Sequence, residues 1–293
     1  MSPIQLLPRS PRLQFSEAPR EEGGWGAPAA SAARAAIATA EAVLLDWDGC
    51  VALGNRPQPA ALEFLARHGD RAAIVSNNSS NLPEDFAHIL AQAGVALPAP
   101  RILLAGAEAL SRAAESGAER VLVLGNGRMR AHGRNLGLRL VREDADLVVL
   151  LRDTRISYAR LENAANSLNQ GARLLVANPD LTHPGPQGRL MPETGALLAA
   201  LAACLHPRKL VMEVIGKPSP RLFQRAIEAL DAAPRRTVMI GDNPATDIAG
   251  AAALGLQGVL IGPGSNLDFR DLLDPRGHTS GRSAPRSKWI RTA

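Results

Sequence analysis

Two carboxylates stand two positions apart in Asp46-Trp47-Asp48-Gly49, where the apolar run Ala42–Asp46 ends. Carboxylates this close repel unless a proton or a cation sits between them. A divalent metal is one solution, and oxygen ligands favour Mg²⁺. Gly49 allows a sharp turn and offers its amide to an anion such as phosphate. Taken alone, the same residues suit an exposed acidic loop. Ser76-Asn77-Asn78 brings a hydroxyl and amides that can donate to phosphate oxygens. Ser and Asn also favour turns and helix caps on their own account. Lys217, within Gly216-Lys217-Pro218, is one of only three lysines, with Lys209 and Lys288. A lysine is a point cation suited to a metal-bound phosphate, and equally an ordinary surface charge. In Gly241-Asp242-Asn243, Asp242 can complete a metal's oxygen shell. Asp247, five residues after Asp242, either supports that site or complements the start of a helix.

These groups need a scaffold, and the apolar pattern supplies one. Short buried runs at Ala42–Asp46, Ala72–Val75, Arg101–Leu104, Arg120–Leu124, Asp146–Leu151, Arg173–Ala177, Val211–Val214, Thr237–Ile240 and Gly258–Ile261 read as strands. Helical stretches alternate with them: Pro59–His68, Pro83–Ala93, Ala107–Ser116, Ser157–Gln170, Gly195–Cys204, Pro220–Leu230 and Ala245–Leu254. The alternation implies an α/β fold, a parallel sheet wrapped by helices. Ligands of such sheets bind beyond the carboxyl ends of the strands. Asp46, Ser76 and Asp242 all fall at those ends, and Lys217 follows Val211–Val214 closely. Asn178–Met191, rich in Pro and Gly, reads as a loop, and Gly125-Asn126-Gly127 as a turn.

Composition narrows the class. The chain has 293 residues, 46% hydrophobic and 21% charged, which suits a globular protein with a sizeable core. The net charge is +5, and residues 275–293 alone carry Arg276, Arg282, Arg286, Lys288 and Arg291 with no acid. The basic excess is therefore a tail property and gives no nucleic-acid-binding face. No apolar run is long enough to span a bilayer. Two isolated cysteines, Cys50 and Cys204, form no metal or redox motif and point to a reducing cytoplasm. Residues 1–40 read as a disordered extension in which Ser31–Ala40 can add a short helix.

In this order and at these strand ends, the four clusters resemble the motifs of the haloacid dehalogenase superfamily. The resemblance covers roughly residues 41–265. It is closest to the branch of NagD-like nucleotide phosphatases, 4-nitrophenyl phosphatases, phosphoglycolate phosphatases and pyridoxal phosphatases, which carries a large cap between the second and third motifs. Gly171–Asp180 (GARLLVANPD) and Gly216–Phe223 (GKPSPRLF) carry this closer likeness. One departure is Pro192-Glu193-Thr194-Gly195, with Glu where that branch commonly has Gly. Others are Cys50-Val51-Ala52 and Gly262-Pro263-Gly264-Ser265.

The resemblance implies a Rossmann-like parallel-sheet core, discontinuous over 41–118 and 192–270. It also implies an inserted α/β cap over 119–191, with a basic flexible tail over 271–293. It implies a Mg²⁺-dependent phosphatase that hydrolyses a small phosphomonoester: a sugar phosphate, nucleoside monophosphate, phosphoglycolate or pyridoxal phosphate. Asp46 is expected as nucleophile and Asp48 as general acid–base. Asp46, Asp48 and Asp242 are expected to hold the metal, supported by Asp247. Gly49, Ser76, Asn77 and Lys217 are expected at the phosphate, and Asn178, Asp180 and His183 of the cap near the leaving group. A homodimer through the cap is a further expectation. The rivals are a phosphotransferase or mutase on the same fold and a non-catalytic binding module.

Overall fold

The computed structural model describes residues 27–184 and 189–273. The chain begins with α1 (Ala27–Thr39), β1 (Ala42–Leu45), a small hairpin of β2 (Ala52–Leu53) and β3 (Arg56–Pro57), and α2 (Pro59–His68). Next come β4 (Ala72–Ser76), α3 (Pro83–Gln92), β5 (Ile102–Leu104) and α4 (Ala105–Glu115). A middle run holds β6 (Val121–Leu124), α5 (Gly127–Asn135), β7 (Leu147–Leu150), α6 (Tyr158–Asn169) and β8 (Arg173–Val176). It continues through β9 (Thr182–Pro184), β10 (Leu190–Pro192), α7 (Thr194–Leu205) and β11 (Met212–Val214). The last run is α8 (Pro220–Ala229), β12 (Thr237–Gly241), α9 (Ala249–Ala253), β13 (Gln257–Leu260) and α10 (Phe269–Leu273).

Every residue of β1, β4 and β12 is buried, as expected of strands covered by helices on both faces. They form a five-stranded parallel sheet in the order β13-β12-β1-β4-β5, with Leu45 opposite both Ile240 and Ile74. From β1 the chain moves outward through β4 to β5; on its return it moves the other way, from β12 to β13. The strand order therefore reverses beside β1, and a crevice opens there at the carboxyl ends. Helix α8 shows how the helices seal the sheet. It starts on Pro220, a good first helical residue, and buries Leu222, Phe223, Ala226 and Ile227 along one stripe.

A second parallel sheet has the order β11-β8-β7-β6. Its side chains alternate between two cores, as strand geometry demands. Val121, Val123, Leu147, Val149 and Leu175 join the core of the first sheet through Ala109, Leu110 and Ala113 of α4. Leu122, Leu124, Val148, Leu150, Leu174 and Val176 are covered by Ala164 and Leu168 of α6 and by Leu201 and Leu205 of α7. Each Leu or Val buried this way contributes about 1.5–3 kcal/mol relative to exposure. Apolar burial thus fixes the strands and leaves the polar residues at their ends free for other work.

The structure departs from the sequence reading in three places. The region expected to be disordered is helical from Ala27, because Ala33, Ala36 and Ile37 recur at helical spacing and pack into the core; of the tail expected over 271–293, residues 271–273 end helix α10 with Leu272 buried, while residues 1–26 and 274–293 lie outside the described residues. The stretch Asn178–Met191, expected as a loop, carries strand β9, which pairs with β10 in an antiparallel hairpin, His183 opposite Met191. Finally, α7 and β11 go with the second sheet and not with the core half expected from residue 192. Strand β11 pairs with β8, Met212 opposite Leu174, and so extends that sheet's edge. Among the described residues, no helix is long and apolar enough to cross a membrane.

Candidate active site

Asp46 is the first residue past β1, and its amide donates to the Ile240 carbonyl at 2.9 Å, which continues the ladder with β12. The chain then folds back. The Ala52 amide donates to the Trp47 carbonyl (2.8 Å) and the Gly49 amide to the Ala52 carbonyl (3.0 Å). Trp47 anchors the turn by stacking on Phe86, with ring centroids 4.3 Å apart, and by donating from Nε1 to Asn55 Oδ1 at 3.0 Å. Gly49 has φ +85°, and a Cβ there would sit 2.2 Å from Asp242 Oδ2. Only glycine fits both the left-handed backbone and the neighbouring carboxylate.

Lys217 is the hub beneath this turn. Its ammonium, on a residue 2% exposed, lies 2.6 Å from Asp46 Oδ1 and 2.6 Å from Asp247 Oδ1. Asp247 is wholly buried on the single π-helical turn Pro244–Ile248, and its Oδ2 accepts the Asn243 amide at 3.1 Å. A Cβ on Gly241 would meet Asp247 Oδ2 at 2.2 Å, so the strand end must be glycine for Asp247 to reach inward. Burial alone would depress the lysine, but Asp247 and Asp46 outweigh it and hold Lys217 above its ordinary value, charged at any working pH.

The acids respond in the opposite sense. Burial, with a contribution from Asp247, holds Asp46 well above the usual carboxylate range, although Lys217 opposes this. Burial and Asp247 likewise raise Asp242. Oxygens of Asp46, Asp242 and Asp247 lie within 4.8 Å of one another. Opposite oxygens around Mg²⁺ are about 4.2 Å apart. The donors are all hard oxygens, and a cation among them would offset their mutual repulsion, so these residues fit Mg²⁺. The Asp48 side chain, expected with the metal set, is outside that group of three. Its carboxyl hydrogen-bonds Ser76, and it titrates above its ordinary value through lost hydration and the nearby Asp242, with Lys217 opposing.

A buried polar junction joins the two sheets beside this cluster. Asn77 Nδ2 donates to Asp180 Oδ2 at 3.0 Å and to the Lys217 carbonyl at 3.1 Å, while its buried Oδ1 has no partner. Asn178 and Asp180, expected near a leaving group, are used differently. Asn178 Nδ2 donates to the Asn77 carbonyl (2.8 Å) and Thr194 Oγ1 (3.3 Å), and its Oδ1 accepts the Asp180 amide (3.1 Å). Its amide is thus fully occupied by the protein. Burial raises Asp180, and its bond to Asn77 offsets part of that. Ser79 Oγ pairs with Thr194 Oγ1 at 3.2 Å and accepts the Arg152 amide at 3.0 Å. Gly125-Asn126-Gly127 is the expected turn: Asn126 Oδ1 caps α5 by accepting the Met129 amide at 2.9 Å.

Nearer the surface, three groups converge, one from the second sheet and two from the β9–β10 hairpin and its exit. Glu193 Oε1 lies 3.4 Å from Arg152 Nε and 2.8 Å from His183 Nδ1. Neither nitrogen is aligned for a hydrogen bond, and both are buried atoms without a partner. Burial pushes Glu193 up to about 7 against the pull of Arg152, with Asp180 and Asp48 adding to the rise. Burial and Arg152 together push His183 down. The sequence reading singled out His183 but passed over Arg152, Thr194 and Ser79. Arg152 had a usable signal: it follows an apolar strand, the position that drew attention to Asp46.

The main sheet is Rossmann-like, and its acids gather at the switch point, an arrangement for work on a charged ligand with a metal. Two family models match the chain, one described as haloacid dehalogenase-like hydrolase over residues 43–139 and a second of HAD-hydrolase-like type over 214–275. Mouse chronophin is 35% identical over 248 residues, which cover 78% of this chain and 83% of that protein. The glycerol phosphate phosphatase of Mycobacterium tuberculosis, solved in complex with magnesium, superposes with a TM-score of 0.71 at 28% identity, covering 81% of this chain and 78% of that one. The p-nitrophenyl phosphatase of Archaeoglobus fulgidus gives 0.69 at 26% identity, covering 75% and 85%. The chain belongs to the haloacid dehalogenase-like hydrolases.

Proposed function

We propose that Asp46 attacks the phosphorus of a small phosphomonoester and that the chain is a Mg²⁺-dependent phosphoric monoester hydrolase. The observation that carries this reading is the buried Lys217 ammonium, 2.6 Å from both Asp46 and Asp247. It keeps a carboxylate oriented at the strand end, next to a metal-sized group of acids.

The first step forms a bond from Asp46 to phosphorus and breaks the bond from phosphorus to the ester oxygen. Asp48 gives its proton to the leaving oxygen; its raised pKa supports the protonated start this requires. In the second step water attacks the aspartyl-phosphate, Asp48 takes the water's proton, and Asp46 leaves as carboxylate. Asp46, Asp242 and the Asp48 backbone carbonyl, with Asp247 alongside, would hold Mg²⁺, which would supply neutralising charge for the carboxylates and the phosphoryl group. Ser76 and the Asn77 backbone amide would hold phosphoryl oxygens; the Gly49 amide, expected there, is taken by the Ala52 carbonyl, and the Asn77 side-chain amide by Asp180 and the Lys217 carbonyl. Asn178 and Asp180 act as braces. The second sheet, about residues 119–214, works as a cap that closes over the crevice.

A cytoplasmic location is supported by two free thiols, Cys50 and Cys204. A homodimer through the cap draws support from the exposed Met212 on edge strand β11. The test of the nucleophile is Asp46→Asn, expected to abolish Mg²⁺-dependent phosphate release from 4-nitrophenyl phosphate. Full activity in the purified variant would remove Asp46 from this role.

A further inference from the structure

Arg152, Glu193 and His183 form a charged cluster that the hydrolysis itself does not use. Arg152 follows β7, His183 comes from β9, and Glu193 stands between β10 and α7. Three segments, after β7, in the β9–β10 hairpin and before α7, thus meet at one carboxylate oxygen. The Arg152 amide bonds Ser79 Oγ, which pairs with Thr194 Oγ1 next to Glu193, and Thr194 in turn accepts from Asn178. The cluster therefore stands beside the polar junction whose Asn77 bonds the Lys217 carbonyl.

Within it Arg152 has donors to spare. Its backbone is pinned by the bond to Ser79. Its side chain is 21% exposed, its closest approach to Glu193 is Nε to Oε1 at 3.4 Å, and it donates no side-chain hydrogen bond among the described residues. A guanidinium carries five N–H donors in a fixed fork that matches a carboxylate or phosphate edge. A single misaligned carboxylate leaves the outer edge of that fork unsatisfied. The alternative is an arginine that merely balances Glu193. That role would bring the carboxylate within hydrogen-bond reach of the terminal nitrogens, as at the surface, where Arg221 Nη2 donates to Glu115 Oε1 and Oε2 at 3.0 Å each.

We propose that Arg152 is a specificity-determining residue that binds a second anionic group, a carboxylate or phosphate, on the leaving group of the substrate. The preferred substrates are then small phosphomonoesters that carry an acid a few bonds from the ester oxygen. This rests on the phosphatase reading above and deepens it.

The experiment compares 2-phosphoglycolate and a bisphosphate with glycerol 3-phosphate, in the Mg²⁺-loaded wild type and in Arg152→Met and Arg152→Lys. In Arg152→Met, the ratio of kcat/KM for 2-phosphoglycolate to that for glycerol 3-phosphate is expected to fall about 30-fold or more, mainly through KM. Arg152→Lys should recover part of the ratio. The carboxylate and bisphosphate arms distinguish which anion is preferred. An unchanged ratio, with all substrates losing activity alike, would overturn the proposal and make Arg152 structural. Calorimetric titration of the Mg²⁺-loaded Asp46→Asn protein with 2-phosphoglycolate and with ethyl phosphate gives the same comparison without turnover. Failure of the phosphatase reading looks different: the wild type would release no phosphate even from 4-nitrophenyl phosphate, and the titration would still decide for or against Arg152.

Discussion

The floor of the crevice and its mouth are built on opposite plans. On the floor, Lys217, Asp46 and Asp247 are buried and tied to one another at 2.6 Å. At the mouth, Arg152 Nε, His183 Nδ1 and Glu193 lie within reach but out of alignment, with nitrogens left unpartnered. The floor is organised before any ligand arrives, as electrostatic stabilisation of a reaction demands. The mouth keeps unsatisfied groups that a ligand can complete. On the proposed reading, chemistry and choice of substrate reside in different parts of the molecule.

The contrast can be broken from either side. Beyond the nucleophile itself, the largest expected effect is that of Asp48→Asn. It should lower kcat on an alkyl ester such as glycerol 3-phosphate by about 10²–10⁴-fold, the range for a general acid. It should cost much less on 4-nitrophenyl phosphate, whose leaving group needs little protonation. Equal losses on the two substrates, measured by phosphate release, would deny Asp48 the acid role. Next, Lys217→Met should destabilise the metal-free protein by about 3–5 kcal/mol, because it leaves buried acids without their cation. Denaturant unfolding reads this directly, and a loss under 1 kcal/mol would mean that the floor is not held by that lysine.

A smaller effect belongs to the mouth. Glu193 titrates at about 7 in the folded chain, against an ordinary 4.5. The folded state therefore holds a proton that the unfolded state has already lost. Stability from this group is complete below about 4.5 and declines as pH rises through about 7. The decline is on the order of 3 kcal/mol at most. Glu193→Gln has no such proton to lose, so thermal melts should show a shallower decline than wild type between pH 4.5 and 8. Parallel curves would mean that the mouth is no more strained than an ordinary surface.

The floor was legible in the sequence and the mouth largely was not, for physical reasons. Asp46, Ser76 and Asp242 stand at the ends of apolar strands, so local pattern alone aims them at one crevice. Asp247 was expected in support of the site through the resemblance; the π-helical turn and the absence of a side chain at Gly241 are what bring it to Lys217. Strand β9 was read as loop because Pro184 and the glycines after it oppose strand formation, and only pairing with β10 overrides that. Strand β11 is three residues long, and its membership of the second sheet is decided by contact with β8 across 38 positions of sequence, Met212 opposite Leu174. Glu193 was visible as a departure from the resemblance, but its partners Arg152 and His183 are gathered only by tertiary structure.

The placement of β11 has a mechanical consequence. Three residues after that edge strand the chain reaches Lys217, and the Ile215 and Gly216 amides still bond the Val176 and Ala177 carbonyls, at 3.0 and 2.7 Å, along the edge of the second sheet. The backbone that leads into Lys217 is therefore hydrogen-bonded into the second sheet, whose strand β7 leads into Arg152. On the proposed mechanism, a tilt of that sheet would act as a lever on the Lys217 ammonium beside Asp46.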